Sequence, residues 1–216
     1  CDVSVAPMEL HLAVLGMTGF TGYFGMLDIG RPQPDQTVVV SAASGAVGSV
    51  AAQVAKRQGA RVIGIAGGPV KCAYLTDELG LDAAVDYKST EQSMADQLAA
   101  ATPNGIDVYF DNVGGEILEA VLQNINDHSR IVLCGGISGY DDMAGAAGPA
   151  GYMKLVTTSS SMQGFTITPS FGEKMTPIAL RVGSTVVPAT RCSQLLTRPT
   201  LTRPSSCPPQ LRASAI

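Results

Sequence analysis

Short apolar runs recur along the chain, and each is followed by a longer stretch in which apolar and polar residues mix at helical spacing. Thr37–Ser41, Arg61–Ala66, Ala83–Asp86, Ile106–Phe110 and Arg130–Cys134 read as strands. Segments near 46–58, 70–80, 91–101 and 114–125 read as the helices between them. The strand runs lack clean in–out alternation, as expected when both faces of a sheet are covered. Strand–helix–strand repetition predicts an α/β fold: a doubly wound parallel sheet with right-handed crossovers. A further helix is expected at about Met17–Leu27 and a last short strand at Gln163–Ile167.

Charge separates a tail from this body. Residues 1–173 hold all 18 acidic residues and 8 of the 14 basic ones, whereas 174–216 hold the other 6 basic residues and no acid. The segment "RPTLTRPSSCPPQLRASAI" has neither a helical nor a strand period. Such a segment buries too little apolar surface to offset its ordering entropy, so a disordered tail is expected. A basic docking arm and a shifted reading frame are the alternatives. The chain therefore divides into a lead-in with one helix over 1–30, the α/β domain over 31–168, and the tail over 169–216.

Composition removes several function classes. The net charge of −4 leaves no bulk basic footprint for nucleic acid. Trp is absent and aromatics make up 5%, which argues against a base-stacking surface. No apolar run approaches the roughly 18 residues of a membrane span, and no signal-peptide pattern opens the chain. The first residue is Cys1, so a fragment or processed chain is expected. The 5 cysteines are scattered without a C-x-x-C pair, and the histidines are His11 and His128 alone. That pattern predicts no metal site and suits a reducing, cytoplasmic setting.

The stretch "SAASGAVGSVAAQVAK", Ser41–Lys56, follows three valines and carries Ala42, Gly45 and Gly48 at A-x-x-G-x-x-G spacing. In a dinucleotide turn the first small residue lets the chain leave the strand tightly. The second lets backbone approach a pyrophosphate, and the third lets the helix pack on the sheet. The helix N-terminus then faces the phosphate with unpaired N–H groups. A tight turn without ligand is the plain alternative, because a lone glycine fingerprint is weak. An NAD site usually has an acid at the end of the second strand. Here "VIGIAGGPVK" has no carboxylate between Arg61 and Asp77, and Lys71 follows. A lysine attracts a ribose 2′-phosphate, so NADP(H) is the expected cofactor; an ordinary solvated lysine is the alternative.

Two further strand ends carry candidate chemistry. "YFDNVGGE" places Asn112 where it reaches ribose or nicotinamide groups or, alternatively, caps the next helix. "IVLCGGISGY" supplies a second glycine turn with Ser138 and Tyr140 nearby; Tyr140 either orients and protonates a substrate or packs. "GAAGPAG" beyond it reads as a flexible loop. Cys134 reads as a small buried hydrophobe, and His128, in "NDHSR", as solvated. No nucleophilic triad can be drawn, and hydride transfer needs none, because the cofactor carries that chemistry.

Together, "GMTGFTGYFGMLDIG", "VVVSAASGAVGSVAAQVAK", "KCAYLTDELGLDAAVDYK", "GIDVYFDNVGGEILEAVL" and "RIVLCGGIS" resemble the zinc-independent medium-chain dehydrogenase/reductases. More narrowly they look like the prostaglandin reductase and alkenal double-bond reductase group, from about Leu10 to Ile167. The resemblance implies a Rossmann-like cofactor domain and NADPH-dependent reduction of the C=C bond of α,β-unsaturated ketones and aldehydes. In that reaction hydride goes to the β carbon and the enolate is protonated. It implies pyrophosphate contacts at Gly45, Ala46, Val47 and Gly48, and 2′-phosphate contacts at Lys71 and Tyr87. Asn112 would be the next contact, and Cys134, Gly135, Gly136, Ile137, Ser138, Gly139 and Tyr140 the nicotinamide-side loop. Phe165, Thr166 and Ile167 would form a further edge of the pocket, with Tyr140 beside the enone or enal substrate.

The group also has a GroES-like substrate domain, for which this sequence has no counterpart, and its members often pair as homodimers through the sheet edge. A catalytically inactive NADP-binding module is the second reading. A methyltransferase using S-adenosylmethionine is the third, and it lacks the acid it normally needs after the second strand.

Overall fold

The computed structural model describes residues 8–142 and 148–167. The expected tail over 169–216 and residues 145–147 of the "GAAGPAG" loop lie outside the described residues; the end of that loop enters a short 3-10 turn, Ala150–Tyr152, where the Gly151 N–H donates to Glu119 Oε2 at 3.0 Å. Six strands form one parallel sheet in the order β3-β2-β1-β4-β5-β6. They are β1 (Thr37–Val40), β2 (Arg61–Ala66), β3 (Ala83–Asp86), β4 (Ile106–Asp111), β5 (Ile125–Leu133) and β6 (Ser161–Gly164). The helices are α1 (Met8–Leu12), α2 (Met17–Phe24), α3 (Ala46–Arg57), α4 (Pro69–Ala73), α5 (Met94–Ala101), α6 (Gly115–Gln123) and α7 (Met153–Thr157). The chain builds from β1 to one edge, returns to β4 beside β1, and builds to the other edge. That reversal opens a crevice between β1 and β4 at the carboxyl ends of the strands, the position where such sheets bind ligands.

Neighbouring strand residues serve opposite cores. Val38, Val40, Val62, Val108 and Phe110 pack with Phe20 and Phe24 of α2 and with Val50, Ala51 and Val54 of α3. Val39, Ile63, Ile65, Tyr109 and Ile131 pack with Leu98 of α5 and with Ile117, Leu118, Val121 and Leu122 of α6. Both faces are covered, so apolar residues occupy successive positions and no alternation appears in the sequence.

The expected strands at Arg61–Ala66 and Ala83–Asp86 stand as read. Several other bounds are corrected. The first strand ends at Val40 rather than Ser41, and the fourth extends to Asp111. The helix expected from 91 begins at Met94, because Ser93 caps it by accepting the Asp96 N–H at 3.1 Å. The helix expected over 70–80 starts at Pro69 and widens after Ala73 into a π-helical turn, Tyr74–Glu78, which carries Leu75 into the core. The helix expected over Met17–Leu27 widens likewise over Gly25–Gly30 and buries Met26.

The helix expected to reach 125 stops at Gln123, and β5 begins at Ile125 rather than Arg130. Ile125 pairs with Ile106 and Arg130 with Val108, so the polar residues between them bulge out of the ladder. His128 sits on that bulge at φ 61, exposed as expected, but in a strand irregularity rather than a turn. The last strand covers Ser161–Gly164 instead of Gln163–Ile167. Its register runs from Arg130↔Ser161 to Leu133↔Gly164, after which Phe165 turns its ring edge-on to Phe110.

Candidate functional site

The glycine turn is built by contact rather than by hydrogen-bonding side chains. Ala42 leaves β1 in the left-handed region, at φ 47. Gly45 holds the N-cap of α3 in an extended conformation, with no side chain capping the helix. The N–H groups of the first turn of a helix have no intrahelical partner, and Gly45 and Ala46 are exposed beside them. Gly48 is buried, and a Cβ there would fall 2.3 Å from the Ala42 carbonyl oxygen. The third small position therefore packs helix against turn, as its spacing predicts, and the arrangement fits a pyrophosphate at the helix end.

A buried carboxylate ties this turn to the next. Asp111, at the end of β4, is fully buried. Its Oδ1 accepts from Tyr109 OH at 2.8 Å, from the Val113 and Gly114 amides at 2.9 Å each, and from Ser41 Oγ at 3.1 Å. Its Oδ2 is buried without a hydrogen-bond partner. Burial first, and then the Asp111 charge, push the Tyr109 hydroxyl well above the ordinary tyrosine range.

Asn112 follows. Its Nδ2 donates to the Ser41 carbonyl at 2.7 Å and its backbone N–H to Ser41 Oγ at 2.9 Å. Gly114 holds the N-cap of α6, so Asn112 is not the cap that the sequence offered as an alternative. Its side-chain amide instead pins the end of β4 to the end of β1.

The second glycine loop runs alongside. The Cys134 and Gly135 amides donate to the Asp111 carbonyl at 2.8 and 3.1 Å, and the Ile137 and Ser138 amides to the Asn112 and Val113 carbonyls at 3.3 and 3.1 Å. Ser138 Oγ donates to the Val113 carbonyl at 2.6 Å. Gly136 and Gly139 are half-buried, and Ile137 is exposed. Cys134 is half-buried, and burial together with the Asp111 charge pushes its thiol up to about 11. The Tyr140 side chain lies outside the described residues.

At the other flank, β2 is followed by Gly67 and Gly68 and then by exposed Lys71 on α4. Gly68 turns at φ 91, and its N–H donates to Asp86 Oδ1 at 2.7 Å. The Tyr87 ring lies over Gly67, where a Cβ would meet the ring at 2.9 Å. Lys88 Nζ stands 5.8 Å from the centre of that ring.

The structure thus brings Gly45–Gly48, Asn112 and Cys134–Gly139 to the carboxyl ends of adjacent strands, with Lys71 and Tyr87 at one flank. The Phe165 ring packs against Gly25 and Phe110, while Thr166 is exposed and Ile167 half-buried. Nothing in the sequence singles out Ser41, Asp86, Lys88 or Asp111 as site residues. The available signal was an Asp closing a strand just before a glycine turn or a lysine. Among the described residues no three His, Cys, Asp or Glu side chains are grouped as metal ligands.

The zinc-binding dehydrogenase family matches residues 46–181. The chain is 41% identical over 179 residues to the NADPH-dependent curcumin reductase of Escherichia coli, covering 81% of this chain and 51% of that protein. It is 44% identical over 167 residues to prostaglandin reductase 1 of Sus scrofa, covering 77% of this chain and 50% of that protein. The crystal structure of CurA from Vibrio vulnificus in complex with NADPH superposes with a TM-score of 0.75 at 44% identity, covering 82% of this chain and 53% of that one. The chain spans about half the length of the curated relatives it matches. With the Rossmann-like sheet, the glycine turn and these matches in hand, the chain belongs to the zinc-binding dehydrogenase family, in its zinc-independent medium-chain reductase group.

Proposed function

We propose that residues 31–168 are the NADPH-binding domain of a reductase that saturates C=C bonds conjugated to a ketone or aldehyde. In this division residues 1–30 precede the domain and 169–216 follow it. The observation that carries the cofactor choice is the end of β2. A glycine pair and Lys71 stand where an NAD site would place a carboxylate, and the Tyr87 ring lies over the first of the pair, Gly67. A carboxylate there would repel a 2′-phosphate, whereas the lysine attracts it.

In this reading the first turn of α3, from Gly45 to Gly48, holds the pyrophosphate. Lys71 and Tyr87 take the 2′-phosphate. Asn112 and the Cys134–Gly139 loop carry the nicotinamide side, and Phe165, Thr166 and Ile167 a further edge of the pocket. NADPH supplies a hydride, and the chain's residues bind it, orient it and exclude water. Tyr140 is assigned to the substrate side. NADPH-dependent relatives such as the curcumin reductase and the prostaglandin reductase support the reading.

The half-buried free thiols of Cys72 and Cys134 suit a reducing cytoplasm. No helix among the described residues is long and apolar enough to cross a membrane. β6, paired on its β5 side, offers its other edge to a second copy, and the solution mass tests that assembly.

Fluorescence titration with NADPH and NADH tests the cofactor. Tighter NADPH binding is expected; equal affinities, or no binding, overturn the proposal. For the reaction, the whole protein is expected to oxidise NADPH with an enone and not with the corresponding saturated ketone. The reverse preference excludes C=C reduction.

A further inference from the structure

Asp86 is a carboxylate at the edge of a site read here as binding a phosphate, where by charge alone it would be unfavourable. It lies at the end of β3, and one of its oxygens is committed to backbone. Oδ1 accepts the Gly68 N–H at 2.7 Å and the Lys88 N–H at 2.9 Å. The first bond crosses from β3 to the loop after β2; the second closes the turn after β3. One oxygen therefore joins the loop leading to Lys71 and the loop carrying Tyr87 and Lys88.

Asp86 is itself held in place. Its N–H donates to Gln97 Oε1 and its carbonyl accepts from Gln97 Nε2, both at 3.0 Å. The Tyr87 N–H donates to the Ala66 carbonyl at 3.2 Å, which lays the ring over Gly67. Gly68 is in the left-handed region, at φ 91, a conformation that a glycine adopts freely and a bond from Asp86 selects.

We infer that Asp86 is a positioning residue for cofactor selectivity: it locks the Gly67–Gly68 loop to the Tyr87–Lys88 loop so that both present their groups to the ribose 2′-phosphate. Lys88, folded over the Tyr87 ring, is the second cation of that site beside Lys71. Both amide donors fall on Oδ1, so that oxygen is spent on holding the two loops together. The inference rests on the NADPH reading above and adds the residue that shapes its selective end.

The test uses 2′,5′-ADP and 5′-ADP as probes on the full chain, by calorimetric titration. The wild-type chain is expected to prefer 2′,5′-ADP. In Asp86→Ala, affinity for 2′,5′-ADP falls roughly ten-fold, as for loss of charge-assisted hydrogen bonds, while 5′-ADP binding is unchanged. Asp86→Asn keeps an acceptor for both amides and restores the preference; a purely repulsive carboxylate would instead make both variants bind 2′,5′-ADP more tightly, overturning the inference. Equal losses for both probes, or none, overturn it too.

If the wild type shows no preference, the NADPH reading and the inference fall together. If the wild type prefers 2′,5′-ADP and Asp86→Ala keeps that preference, only the positioning role falls. Should Asp86→Ala not fold, hydrogen exchange on the wild type decides. The Gly68 and Lys88 amides are expected to slow with 2′,5′-ADP and not with 5′-ADP, and no difference between the probes refutes the role.

Discussion

Ser41 Oγ lies 3.1 Å from Asp111 Oδ1, and this bond joins the ends of β1 and β4 at the point where the strand order reverses. The same carboxylate oxygen accepts from Tyr109 OH and from two turn amides, and Asp111 itself is fully buried. Asp111→Ala leaves those donors unpaired and is expected to destabilise the domain by about 3 kcal/mol. Tyr109→Phe removes one donor and is expected to cost about 1 kcal/mol. Urea unfolding monitored by circular dichroism reads both. Equal, small losses would show that Asp111 does not organise the crevice.

Gly48→Ala places a methyl 2.3 Å from the Ala42 carbonyl oxygen, so α3 must move away from the turn. Overpacking of this kind costs roughly 2 kcal/mol, and it displaces the amides that face the proposed pyrophosphate. A fall in thermal midpoint together with loss of NADPH fluorescence enhancement is expected. Retained NADPH affinity would place the phosphates elsewhere.

Lys71→Glu puts a carboxylate beside the proposed 2′-phosphate. NADPH affinity is expected to fall at least about ten-fold, near 1.4 kcal/mol, with NADH affinity held. If both cofactors weaken alike, Lys71 does not contact the 2′-phosphate.

The Cys134 thiol is pushed up to about 11 by burial and by Asp111. At neutral pH it is therefore almost wholly protonated and is expected to resist iodoacetamide, with a labelling rate that climbs through pH 10. Asp111→Asn removes the charge contribution and is expected to shift that profile to lower pH. Rapid labelling of Cys134 at pH 7, read by mass spectrometry of its peptide, contradicts the assignment.

Burial alone would raise the Asp82 carboxyl, but the Val62 N–H at 2.7 Å and the Lys56 ammonium at 3.0 Å outweigh it and hold it below its ordinary value. A carboxyl lowered on folding contributes stability above its unfolded value and loses it as pH falls through the folded one. Wild type is therefore expected to lose stability below about pH 4 relative to Asp82→Asn, while holding an advantage near neutrality. Parallel stability–pH curves for the two proteins would remove the Lys56–Asp82 pair from the account.

The alternation of apolar runs with helical stretches was enough to read a parallel, two-faced sheet, because a strand buried on both sides has to be apolar throughout. Val38–Val40 carry that signal whatever they touch. Gly48 was legible for a similar reason, since a close helix–turn contact excludes every side chain. The bulge at His128 was not. The polar run Asn126–Ser129 looks like a turn, and only pairing of Ile125 with Ile106 makes it an interruption inside a strand. The start of α5 at Met94 depended on which of several polar residues accepts an amide, and Ser93 does.

The sequence by itself determined the layered fold, the tight glycine turn and the lack of an acid after the second strand, because each follows from local residue size, polarity and spacing. The tertiary structure alone decided how the strand ends are tied together. Asp111 reaches Ser41 across 70 residues and Asp86 reaches Gly68 across 18. A carboxylate's partners are whatever amides and hydroxyls the folded chain brings within hydrogen-bond reach, and no local pattern records that distance.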